Sequence, residues 1–123
     1  MKPLSVIVAQ SNAKTCESLT KSLHNHFRLV HTADNLNELL NCIPKHRADV
    51  AIVDLELADL GQVQQLIQQF SATIIVCTHR LADEQMWAEA LAVGAADCCH
   101  CSDVRAIVLA ATNVKLMSHA HAA

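Results

Sequence analysis

The sequence has little of what loosens a chain. Two glycines and two prolines are spread over 123 residues, and charged residues make up only 17%. Disorder and low complexity need the opposite balance, rich in charge, proline and glycine, so both classes are excluded. No run of lysine or arginine is present, and the net charge is −3 with a pI near 6.2. A phosphate backbone is held by clustered positive charge, so direct nucleic-acid binding is not expected. A long apolar run is missing too. The segment Leu4 to Ala9 is interrupted by Ser5 and is far shorter than a signal-peptide core or a membrane span. The expected location is the cytoplasm, without membrane contact. Internal repeats and linkers are likewise not found.

What the chain does have is apolar residues, 52% of the total, enough for one sizeable core in a length that suits one domain. It also has six cysteines: Cys16, Cys42, Cys77, Cys98, Cys99 and Cys101. With no secretory signal and ample core material, disulfide staples are unnecessary, and most of these thiols are expected to be reduced and buried as small hydrophobes.

Five short apolar runs recur with helix-like segments between them: LSVIVAQ (4–10), FRLVHTA (27–33), ADVAIVD (48–54), ATIIVCT (72–78) and AADCCHC (95–101). The first, third and fourth are near-continuous in valine, isoleucine and alanine, as central parallel strands covered on both faces require; the second alternates and suits an edge. Between them, helical spacing is carried by Cys16, Leu19 and Leu23, then by Leu36, Leu39, Leu40 and Ile43. The second of these helices is predicted to open at Asn35 and stop before Pro44. Leu60, Val63, Ile67 and Phe70 line the third. A fourth runs from about Ala82 to Val93, with Met86, Ala90 and Val93 on one stripe, and ends at Gly94. The fifth begins near Ser102 and carries Val104, Ile107, Val108, Ala111 and Val114.

Strand–helix repetition with right-handed crossovers predicts an α/β fold, a three-layer, doubly wound (βα)5 sandwich with a parallel five-stranded sheet; the order 2-1-3-4-5, flavodoxin-like, is expected as the commonest among five-stranded versions. Residues 1–118 are expected to form this single domain and 119–123 a frayed tail that contains His119 and His121. In such folds functional groups gather beyond the carboxyl ends of the strands. Asp54, at the end of the most apolar run, falls there, as do Gln10, Ser11, Thr78 and Cys101. Successive strand residues face opposite sides, so Cys98 and His100 cannot converge with Cys99 and Cys101, and a structural zinc site in CCHC is not expected. A meeting of Cys101, His79 and Asp54 is the remaining route to a soft-metal site or a tuned thiolate.

In order and spacing the sequence resembles the receiver domain of two-component response regulators, from Leu4 to about Met117. The resemblance rests on IVDLEL, with Asp54 and Leu55 where the family has its phosphoacceptor aspartate; on IIVCT, with Thr78 at the hydroxyl position; and on Gly94 and Ala95 before the fifth strand. It implies transfer of a phosphoryl group from a histidine kinase to Asp54, with a divalent cation, magnesium, as cofactor and otherwise no enzymatic activity. Four positions depart from the family pattern. Its acidic pair falls on Gln10 and Ser11, or on Ala9 and Gln10 if the alignment shifts by one; its lysine falls on Cys101; and its aromatic switch residue falls on Cys98. Beside Thr78, where a small residue is usual, stands His79. Asp54 and Glu56 are the carboxylates left for a metal, so only weak magnesium binding is expected.

The resemblance therefore implies an atypical receiver domain in phosphorelay signal transduction that signals through protein–protein contacts, as in the regulatory part of a transcriptional regulator. Its expected partners are a histidine kinase or another signalling protein, and a second copy docked through the fourth helix, fifth strand and fifth helix, where Met86 and Trp87 lie. A phosphorylation-independent docking or dimerisation module, and a small-molecule or redox sensor at Gln10, Asp54, His79 and Cys101, stay open as alternatives.

Overall fold

The structure, a computed structural model, describes residues 4–112. Along them strands and helices alternate: β1 (Ser5–Ala9), α1 (Ala13–Leu23), β2 (Leu29–Ala33), α2 (Leu36–His46), β3 (Val50–Asp54), α3 (Leu60–Gln69), β4 (Ile74–His79), α4 (Glu84–Ala92) and β5 (Asp97–His100). A fifth helix, α5, covers 104–112. The strands form one parallel sheet in the order β2-β1-β3-β4-β5, as the sequence predicts. The tail with His119 and His121, and Val114 and Met117, lie outside the described residues. No helix among the described residues is long and apolar enough to cross a membrane.

Side-chain alternation divides the core in two. Val6, Val8, Val50, Ile52, Val76 and Cys99 face one side, against Cys16, Leu19 and Leu23 of α1 and Ile107, Ala110 and Ala111 of α5. Ile7, Ala9, Ala51, Val53, Ile75, Cys77 and Cys98 face the other, against Leu39 and Ile43 of α2, Val63 and Leu66 of α3, and Ala90 of α4. Cys98 and Cys99 thus lie on opposite faces. β1 and β3 are buried along their whole length, whereas β2 sits at an edge and keeps only Ala33 buried.

Each helix starts where an Asn or Asp side chain accepts a backbone N–H of the first turn. Asn12 accepts from Thr15, Asn35 from Glu38, Asp59 from Gln62, Asp83 from Met86 and Asp103 from Ala106. These caps move two starts later than expected: α4 opens after Asp83 rather than at Ala82, and α5 opens at 104 rather than near Ser102. The predicted stop before Pro44 is also corrected, because α2 runs through Pro44 to His46. So close to the helix end, a missing proline N–H removes a single bond. The end is closed by Ala48 N–H donating to the Ile43 carbonyl at 3.0 Å, with Arg47 in the left-handed region at φ 49°. Gly94, at φ 105°, turns the chain out of α4 as predicted.

Candidate functional site

Parity along the strands determines what meets at the carboxyl edge of the sheet. Ile52, Val76 and Cys99 face α1 and α5. Two residues on, Asp54, Thr78 and Cys101 follow on that side, and Gln10 does the same after Val8. Asp54 and Gln10 are 7% and 2% exposed and Thr78 is fully buried. The backbone fixes Asp54: Leu55 N–H donates to the Thr78 carbonyl at 2.9 Å, and Leu57 and Ala58 N–H donate to the Asp54 carbonyl at 2.9 and 3.1 Å. The strand therefore ends rigidly on its carboxylate.

Both carboxylate oxygens have donors. Oδ2 accepts from the Ser11 hydroxyl at 2.6 Å and from Ser11 N–H at 3.1 Å, and Oδ1 accepts from Glu56 N–H at 3.0 Å. Charge-assisted contacts of this length orient the group firmly. Above it lies a cleft of about 110 Å³ whose walls include Gln10, Ser11, Asp54, Glu56, Arg80 and Cys101. Thr78 is level with Asp54 in the sheet but is turned to Gln10, whose Nε2 donates to its hydroxyl at 2.9 Å. Gln10 Oε1 is buried without a hydrogen-bond partner.

His79 is on the opposite side of β4, as alternation requires. It lines a separate groove with Leu55, Leu60 and Met86. The expected meeting of Cys101, His79 and Asp54 is thus only two-thirds present: Cys101 reaches the cleft and His79 does not. His79 instead braces the cleft from behind. Its Nδ1 accepts Leu81 N–H at 3.0 Å, which leaves the ring proton on Nε2, 3.4 Å from Glu56 Oε1. The same oxygen receives Arg80 Nε at 2.8 Å. Arg80 escaped the reading of the sequence, although a residue two past Thr78 shares its side of the strand.

Cys98, the switch position, is buried with the α2–α3–α4 cluster. Burial, and then the charges of Asp97 and Asp83, push its thiol pKa up. It is a small core residue with no path to the cleft.

The magnesium that the resemblance implies does not fit these residues. A small, hard cation needs one or two free carboxylates in near-octahedral reach. Here Asp54 already accepts three hydrogen bonds, Glu56 is paired with Arg80 and His79, and positions 10 and 11 carry no charge, so little free anionic charge is left to draw in a hard cation. Asp54 and Glu56, the pair expected to hold a metal weakly, both line the cleft and are both engaged in these contacts. Among the described residues, no group of three or more His, Cys, Asp and Glu side chains is arranged to hold a metal ion.

Solved structures share this fold. The chain superposes with TM-score 0.77 on a response regulator from Burkholderia pseudomallei that carries a phosphorylated aspartic acid, a calcium ion and citrate, at 21% identity over 97% of this chain and 73% of that one. The chain has the receiver fold. Two other structures agree. One is the signal receiver domain of a DNA-binding response regulator from Colwellia psychrerythraea, at TM-score 0.76 and 16% identity over 94% of this chain and 98% of that one. The other is the signal receiver domain of the response regulator NarL from Mycobacterium tuberculosis, at 0.74 and 20% over 90% and 98%. No protein-family model matches the sequence, and no curated protein is similar to it. Within the receiver fold, Asp54 stands at the carboxyl end of the central strand and the cleft opens above it.

Proposed function

We propose that this chain is a receiver-type signalling domain in phosphorelay signal transduction, with Asp54 as its phosphoacceptor and no enzymatic activity beyond accepting that group. One observation carries the reading: a rigidly held carboxylate closes the central strand beneath a polar cleft of about 110 Å³. Pockets for small organic ligands run to roughly 300–1,000 Å³. The cleft directly over Asp54 is smaller than that and matches a phosphoryl group. The donor is a histidine kinase. A phosphoryl group on Asp54 adds negative charge that the surrounding donors must meet, and this biases a surface between two states. Trp87 on α4 and Leu109 on α5, 46% and 47% exposed, flank β5 and offer that surface to a second copy or another signalling protein. The Colwellia neighbour belongs to a DNA-binding regulator, and a similar role as regulatory domain of a transcription factor is proposed here.

Incubation with acetyl phosphate, with and without magnesium, followed by intact-mass measurement tests the reading. The expected result is one phosphoryl adduct in the native protein and none in Asp54→Asn. No adduct would overturn the acceptor reading and leave the docking alternative; an equal adduct in the variant would place the phosphoryl group on a residue other than Asp54.

A further inference from the structure

We propose that Arg80 supplies the positive charge that a divalent cation would otherwise bring, so that phosphoryl transfer to Asp54 runs without magnesium. This rests on Asp54 being the phosphoacceptor.

Transfer spreads charge over the phosphoryl oxygens, and a site must neutralise it with a metal or with fixed cations. The residues of this cleft do not fit the metal, and Cys101 supplies no fixed charge. Arg80 is the only cationic side chain among the cleft residues. Its Nε is tied to Glu56 Oε1 at 2.8 Å, and Glu56 is steadied in turn by His79. That tether leaves the two terminal amino groups of the guanidinium for other acceptors, and a planar fork of N–H donors matches a phosphoryl group. Ser11 adds a hydroxyl and an amide already aimed at the reacting carboxylate.

The step balances without a metal. A carboxylate oxygen of Asp54 attacks the phosphorus of an acyl phosphate, a new P–O bond forms, and the bond to acetate breaks. Acetate leaves with the electron pair. No proton moves and nothing is oxidised or reduced.

The test is the rate of adduct formation from acetyl phosphate in chelator and in magnesium, for the native protein, Arg80→Ala and Arg80→Lys. The Arg80 side chain is 74% exposed, so both variants are expected to fold, as circular dichroism will verify. The native rate should be the same in both solutions. Arg80→Ala should be slower by roughly tenfold or more in chelator, and Arg80→Lys, which keeps the charge but not the fork, should fall between them. A strict magnesium requirement with a native-like rate in Arg80→Ala would overturn the proposal and leave Asp54 as the acceptor. No adduct on the native protein in either solution would remove the acceptor reading and this proposal together.

Discussion

Cys77 is fully buried in β4, and burial pushes its thiol pKa up to about 12. Cys99, on the neighbouring strand, is also raised to about 12, first by burial and then by the charge of Asp97. At each of these two thiols the folded chain therefore keeps a proton that the unfolded chain releases above about pH 8.5. The stability tied to them is fully present below that pH and is lost as pH rises toward 12. Urea midpoints measured at rising alkaline pH should therefore fall, and that of Cys77→Ala should fall less steeply from a lower start. A native midpoint independent of pH would contradict the burial argument. The alternation that separates Cys98 from Cys99 was legible in CCHC, and it also carries Gln10, Asp54 and Cys101 to one side. The same rule, carried on through residues 79 and 80, would have turned His79 away and brought Arg80 in. Arg80 lies just past the strand, so alternation gives its side, while its pairing with Glu56, a contact between two loops, is what holds it at the cleft.

Helix starts are governed by single side chains. At α2, Asn35 accepts Glu38 N–H at 2.9 Å while the Glu38 carboxylate accepts Asp34 N–H at 3.0 Å, so two free donors are satisfied together. Asn35→Ala is expected to cost about 1 kcal/mol, read as a lower urea midpoint with an unchanged slope. A loss too small to resolve would mean that packing of Leu39 and Ile43 alone sets the start of the helix. Such starts are legible because the capping residue announces itself, as Asn35 did. The far end of α2 was not legible. Pro44 is a local stop signal, but Leu39 and Ile43 are buried against the sheet, and Ala48 N–H closes onto the Ile43 carbonyl one turn beyond it. Tertiary packing outweighs one absent hydrogen bond there. At α4 the weak stripe of Met86, Ala90 and Val93 hid the start, which the Asp83 side chain fixes.

For the molecule as a whole, the central and edge places were readable because apolar runs covered on both sides are central and the alternating run is an edge; β2 is that edge, whereas the full order was expected only as the commonest five-stranded arrangement, and the sheet has it. Fold and site nevertheless separate, since the same sheet can carry a metal-binding edge or a metal-free one. If positions 10 and 11 carry that difference in this chain, substitution there should reverse it. In Gln10→Asp with Ser11→Asp, two new carboxylates would stand beside Asp54, one of them at a position only 2% exposed and without the Ser11 hydroxyl to soften the repulsion. Like charges brought that close raise the energy of the folded state, so the double variant should be less stable than the native protein in chelator. It should also gain what the native cleft lacks, a set of free acidic oxygens for a hard cation. Because magnesium would bind the folded state and not the unfolded one, a concentration a hundred times the dissociation constant should restore about 2.7 kcal/mol. The urea midpoint of the double variant should therefore climb with magnesium while that of the native protein stays level. A native midpoint that climbs equally would place a competent metal site in the unaltered cleft. A double variant that ignores magnesium would mean that residues 10 and 11 are not where the acidic pair belongs, and that β1 is aligned one residue away.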